Sequence, residues 1–135
     1  LSEYEHMYVS TGARTITKLG LKSSSAQMLP ANAVLYSSRA PIGYIAIAAN
    51  PVCTNQGFRS VVPYDFAMSP YLYYCLKART DNIVQRATGT TFKEISGSEM
   101  AKTIIPLPPL NEQTRIFKKA TQLLEVISAI EKSLS

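Results

Sequence analysis

The chain has 135 residues, of which 46% are apolar and 17% charged, and its mean hydropathy is close to zero. That is one ordinary domain with material for a core, and it excludes a disordered chain. The net charge is +5, and from Arg14 to Lys93 nine cations stand against two acids, leaving −2 for the remainder. A basic middle with a balanced tail fits either a polyanion-binding region joined to something else or a basic surface kept for solubility.

The amino-terminal segment Leu1 to Ser10 carries Glu3, Glu5 and His6, the wrong pattern for a secretory leader. Without any run of some 18 apolar residues, no transmembrane helix is expected. Thr11-Gly12 and Ser23 to Ser25 read as turns or loops, and Leu29 to Asn32 as a turn ahead of the first clear strand. Val34 to Ser38 is that strand. Pro41-Ile42-Gly43 turns the chain, and Tyr44 to Ala49 is a second strand of β-formers and small residues. Asn50-Pro51 is a tight turn. Val52 to Thr54 and Phe58 to Val62 are further short strands, which suggests an antiparallel, meander-like sheet. Cys53 and Cys75 each lie in an apolar stretch and read as reduced core thiols.

A helix then begins, with Ser69 as N-cap and Pro70 in its first position. Leu72, Cys75, Leu76 and Arg79 carry the helical spacing, and Ile83-Val84 either extends it or starts a second turn. Residues 87–98 read as a polar loop with two glycines. Lys102 to Leu107 reads as a late strand closed by Pro106, Pro108 and Pro109. A long helix follows, with Asn111 as N-cap and Glu112 near its positive end. Its apolar residues Ile116, Ala120, Leu123, Ile127, Ile130 and Leu134 are spaced 4, 3, 4, 3 and 4 apart, a heptad stripe. So narrow a stripe suits pairing with another helix, from a partner or a second copy. The other reading is a helix folded back on its own sheet.

Catalytic patterns are poorly represented. The single histidine, His6, speaks against His-rich metal sites and a Ser-His-Asp arrangement. Asp65 and Asp81 are the only acids of the basic stretch, whereas a two-metal nuclease needs clustered carboxylates. Neither a GxGxxG nor a P-loop pattern occurs. No cofactor, metal or catalytic residue is expected. What remains is surface recognition. Arg39 sits at a strand-to-turn junction, suited to bidentate contact with guanine or to clamping phosphate, or else to locking its own turn through an ion pair or a carbonyl contact. The stretch from Arg86 to Lys93 offers hydroxyls, glycine-freed amides and flanking cations for phosphates or base edges. The alternative is a flexible connector whose Phe92 plugs the core. There are eight tyrosines and no tryptophan; Tyr71, Tyr73 and Tyr74 cannot all face one core, so at least one hydroxyl should reach solvent or a partner.

Four segments in order resemble the target-recognition domain of Type I restriction-modification specificity subunits. The first runs from Leu29-Pro30 through Leu35-Tyr36-Ser37-Ser38-Arg39-Ala40-Pro41-Ile42-Gly43. The second is Ile45-Ala46-Ile47-Ala48 leading to Thr54-Asn55-Gln56-Gly57-Phe58. The third is Ala87-Thr88-Gly89-Thr90-Thr91-Phe92-Lys93-Glu94-Ile95. The fourth is Ile104 to Gln113, with Ile116 beyond. The resemblance covers residues 9 to 135. It implies an α+β fold, a small mostly antiparallel sheet with short helices followed by a long C-terminal coiled-coil-type helix. It divides the chain into a recognition domain over residues 1–110 and a spacer or dimerisation helix over 111–135. It also implies a non-catalytic subunit of a bacterial or archaeal cytoplasm. Such a subunit reads half of a split double-stranded DNA target and docks methyltransferase subunits, through which the restriction subunit is added. On this reading Arg14, Lys18, Lys22, Arg39, Arg86, Thr90 and Lys93 contact DNA, and the heptad stripe binds a partner helix. The sequence departs from the family pattern by starting inside the domain, without the usual tryptophan-containing opening, and by lacking a second recognition domain. A homodimer would present two such domains.

Overall fold

A computed structural model of the chain describes residues 6–12, 14–39 and 41–134. Glu3, Glu5 and Ala40, singled out above, lie outside the described residues. In chain order the elements are β1 (Tyr8–Val9), α1 (Lys18–Lys22), β2 (Met28–Leu29), β3 (Val34–Ser38), β4 (Ile42–Ala48) and β5 (Val52–Cys53). There follow a 3-10 turn (Phe66–Met68), α2 (Ser69–Gln85), α3 (Gly97–Ala101) and α4 (Leu110–Leu134). The α+β class expected from the sequence is the one found, as small sheets with helices.

β3 and β4 form the centre. They pair antiparallel, with Val34 opposite Ile47 and Tyr36 opposite Ile45, and the register shifts between Tyr36 and Ser38. Alternate side chains of a strand point to opposite faces, and here both faces are covered. Val34, Tyr36 and Ile47 pack with Leu72, Tyr73, Leu76 and Ile83 of α2 and with Ile95 and Met100. Ala33, Leu35, Ala46 and Ala48 pack on the other side with Val9, Leu29, Val52 and Phe58. Tyr36 reaches across the first face to donate to Thr80 Oγ1 at 3.2 Å. Gly43 of β4 is equally tied to α2: its φ is +103°, and a Cβ there would lie 2.4 Å from Thr80 Cγ2.

Several expectations need correction. β3–β4 and β2–β5 pair antiparallel as expected of a mostly antiparallel sheet, but the meander is broken where β1 pairs parallel to β4, with Tyr8 opposite Ile47. Only a long connection allows that pairing, and a two-residue strand has no periodicity to read. Phe58 to Val62 runs along β3 without becoming a strand. It makes isolated bridges at Phe58 and Val61 and main-chain bonds from Arg59 N to Tyr36 O and from Val61 N to Val34 O. The late strand at Lys102 to Leu107 is absent. Proline lacks the N–H a ladder needs; with Pro106 inside this stretch and Pro108 and Pro109 just after it, the chain is instead held where Pro106 O accepts the Tyr71 hydroxyl at 3.0 Å. The loop expected over 87–98 ends early in α3, whose N-cap Ser96 accepts from Glu99 N at 3.2 Å.

Helix starts also differ, by one residue at α2 and by two at α4. Met68 holds the N-cap position of α2, and Ser69, inside the helix, donates to Asn32 O at 2.7 Å. Ile83-Val84 extends that helix to Gln85. α4 starts at Leu110, so Asn111, expected as its N-cap, lies inside it. Its first turns dock on α2: the Tyr74 and Phe117 rings lie 5.9 Å apart, and the Tyr74 and Thr121 hydroxyls share a hydrogen bond of 3.1 Å. All three tyrosines of α2 are thus used in packing, with Tyr73 edge-on to Tyr74 at 5.2 Å. Cys53 and Cys75 are free and half-buried. Among the described residues no helix is long and apolar enough to cross a membrane.

Candidate nucleic-acid interface

Three of the four motif segments meet at one place, the end of β3. Ser38 N donates to Gly57 O at 2.7 Å, which brings in the Asn55-Gln56-Gly57 turn. Ile95 N donates to Ser38 O at 2.9 Å, which brings in the segment after Gly89. Arg39 bridges Glu94, and Glu94 bridges Thr88. Each turn is built locally. Ser37 Oγ donates to Pro41 O at 2.9 Å and accepts from Tyr44 N at 2.8 Å, closing the turn that carries Arg39. Asn55 Oδ1 accepts from Gly57 N at 2.9 Å, an Asx turn. A Cβ on Gly57 would lie 3.2 Å from Arg39 Nε, so the arginine stem lies against that turn.

The junction is stapled by charge as well. Arg59 Nη2 lies 3.2 Å from Glu94 Oε1, and its Nη1 donates to Gln56 O and Phe58 O at 3.2 and 3.0 Å. Arg59 and Glu94 were not among the expected site residues. Nothing in sequence links an arginine to a glutamate 35 positions away. Arg39, Gln56, Thr90 and Lys93 are all exposed around this staple. Guanidinium, ammonium, amide and hydroxyl groups then share one rim, the set that contacts phosphates and base edges. Gln56 puts an amide on that rim and was not among the expected residues, because a lone glutamine in a turn carries no signal.

The other expected residues are placed differently. Arg14, Lys18 and Lys22 are exposed on the stretch 14–22, where Thr17 Oγ1 caps α1 by accepting from Gly20 N at 3.0 Å. Arg86 is turned inward. It donates to the main-chain oxygen of Glu99, to Thr103 Oγ1 at 2.8 Å and to Asn82 O at 3.4 Å, and lies 3.9 Å from the Glu99 carboxylate. Its fork therefore ties α2 to α3 and the following segment. The Lys102 ammonium that bonds Glu99, with Arg86 nearby, holds that carboxyl below its usual range.

Burial pushes the Cys75 thiol up against smaller opposing effects of Tyr71 and Arg79. Among the described residues no three His, Cys, Asp or Glu side chains gather as a metal site would need.

The fourth segment is the junction with α4. Gln113 is buried, its Nε2 donating to Pro108 O at 2.8 Å and its main-chain N to Pro109 O at 3.0 Å. The heptad stripe divides here. Ala120 is half-buried on the domain side, beside Phe117 and Thr121, which the stripe had not included. Leu123, Ile127 and Ile130 are about half exposed, at 52%, 50% and 52%, and Leu134 is 82% exposed. Ile116 lies at the border, 37% exposed.

The family described as Type I restriction modification DNA specificity domain matches residues 2–135. The chain is 44% identical over 118 residues to the Type I restriction enzyme MjaIX specificity subunit of Methanocaldococcus jannaschii, covering 86% of this chain and 27% of that one. It is 27% identical over 135 residues to the HindI specificity subunit of Haemophilus influenzae, covering 98% of this chain and 28% of the relative. Among solved structures it resembles a chain from work on complex assembly and conformational transition of the type I R-M system. There the TM-score is 0.67 at 28% identity, over 82% of this chain and 27% of that one. It shares the fold of the Type-I restriction-modification system S subunit from M. genitalium, with a TM-score of 0.59 at 21% identity, over 96% of this chain and 34% of that one. The chain thus spans about a quarter to a third of the length of these relatives. With its family match running nearly end to end, the chain belongs to the Type I restriction modification DNA specificity domain family.

Proposed function

We propose that this chain recognises a short sequence in double-stranded DNA and so supplies target choice to a Type I restriction-modification enzyme. The observation that carries this is the convergence of Arg39, Gln56, Thr90 and Lys93 around the Arg59–Glu94 pair, an exposed rim with cationic, amide and hydroxyl donors in a basic chain. Arg14, Lys18 and Lys22 add phosphate contacts from the stretch 14–22. Arg86 is left out of the contact set, since its donors serve the fold. The chain is not a catalyst by itself. Methylation and restriction belong to methyltransferase and restriction subunits in the cytoplasm, the former docking through α4. The domain comprises residues 1–110, and α4 is its spacer.

The test is a salt titration of binding to a randomised duplex pool, with sequencing of the bound fraction. Enrichment of a short motif, with affinity falling steeply in salt, is expected. Weak binding without enrichment, with or without methyltransferase subunits, refutes the reading.

A second reading is favoured by the apolar stripe Leu123, Ile127, Ile130 and Leu134, which the described residues leave half or more exposed. The chain would then act chiefly as an assembly module, pairing α4 with a partner helix or a second copy as a homodimer. Replacing Leu123 and Ile127 by Asp abolishes association on either reading. It leaves motif enrichment intact only on the first.

A further inference from the structure

Phe92 is 72% exposed, and the loop that carries it fixes its display. Thr88 and Glu94 close that loop with reciprocal main-chain hydrogen bonds of 3.1 and 2.8 Å. Inside it Gly89 has φ +127°, and a Cβ there would lie 2.1 Å from the Phe92 carbonyl oxygen. The main chain of Gly89 therefore presses against that of Phe92, a close approach open only to glycine. Thr90, Thr91 and Lys93, its neighbours in sequence, are all exposed, and the closing residue Glu94 bridges Arg39. A large apolar ring thus stands outward among cations and hydroxyls on a loop pinned at both ends.

Cations bring a phosphate backbone close, but an apolar ring gains nothing from phosphate. The apolar group that a groove of unmodified duplex DNA displays is the 5-methyl of thymine. We propose that Phe92 is a specificity-determining residue that packs on the 5-methyl group of a thymine in the target. The inference rests on the DNA reading above and adds to it the large apolar ring of the loop between Thr88 and Glu94.

The test crosses a protein change with a base change, using the chain assembled with the methyltransferase subunits of its system. The parent and Phe92→Ala are each selected on a randomised duplex pool, then titrated on the parent's preferred duplex and on copies with single thymines replaced by uracil. Phe92→Ala should weaken binding about tenfold, with an unchanged salt slope and an unchanged melting temperature, and should lose preference at one thymine. Uracil at that position should cost the parent about fourfold and the variant nothing, as expected for one buried methyl. Phe92→Leu, still apolar, should keep the preference. A variant with the parent's motif and affinity overturns the proposal while leaving the DNA reading standing. So does a loss that is the same on thymine and uracil duplexes. A parent that enriches no motif overturns the DNA reading and this proposal with it.

Discussion

Replacing Arg86 by alanine separates the two roles that sequence offers an arginine here. In the fold its guanidinium bonds the Glu99 main-chain oxygen, Thr103 Oγ1 and Asn82 O, and the side chain is 23% exposed. Hydrogen bonds from a charged donor each contribute about 1.5–3 kcal/mol when well formed. The Asn82 contact is long at 3.4 Å and the Glu99 carboxylate is 3.9 Å away, so only two bonds count fully. Partial exposure lets water replace part of what is lost. The net cost is therefore about 2 kcal/mol, which for a domain of this size lowers the melting temperature by roughly 6–10 °C. The assay is a circular-dichroism melt, paired with duplex binding measured well below the transition, where affinity and salt slope should match the parent. Arg39→Ala is the mirror image, with melting unchanged and the salt slope reduced by about one if it holds a phosphate. An Arg86→Ala chain that melts within about 1 °C of the parent but loses a unit of salt slope refutes the reasoning and returns Arg86 to the DNA face.

Gly43→Ala should destabilise the chain by about 1–3 kcal/mol in urea unfolding, because it combines a positive φ with a clash against Thr80 Cγ2. Adding Thr80→Ser removes that methyl and should recover part of the loss. Ile83→Ala, at a fully buried position between α2 and the sheet, should cost about 2–5 kcal/mol in the same assay, with DNA affinity at low temperature unaffected. Burial, and less strongly Cys75, pushes the Tyr71 phenol from 10.0 up to about 12. Its folded value is raised, so its contribution is complete below pH 10.0 and is lost as pH climbs towards about 12. Melting temperature measured across that window should fall for the parent and less for Tyr71→Phe.

Much of the fold was legible where one strong local rule applied. Val34 to Ser38 is a strand because β-formers are bounded by turn residues, and α2 and α4 follow from apolar spacing of three and four. What stayed hidden was set by distant partners. The two-residue strand β1 exists only because β4 offers it an edge. Residues 102–107 look like a strand by composition, yet they form none, and Pro106 O instead accepts the Tyr71 hydroxyl. Arg39, Thr90 and Lys93, read as polar residues of turns, are exposed in the structure. Arg86 was read the same way yet is turned inward, since charge alone does not tell an outward arginine from one whose acceptors lie 13 and 17 residues ahead. The Arg59–Glu94 staple and the outward Phe92 depend on which loops meet, and periodicity says nothing about that.

The closure at Thr88 and Glu94 is made by main-chain atoms alone. Between them Thr90, Thr91, Phe92 and Lys93 project outward, while Gly89 alone is dictated by the backbone. Replacements at those four positions should therefore shift stability by no more than about 0.5 kcal/mol. Such a loop is interchangeable in content though fixed in frame. A change at any one of these four letters therefore alters what the loop displays without unmaking the frame that displays it.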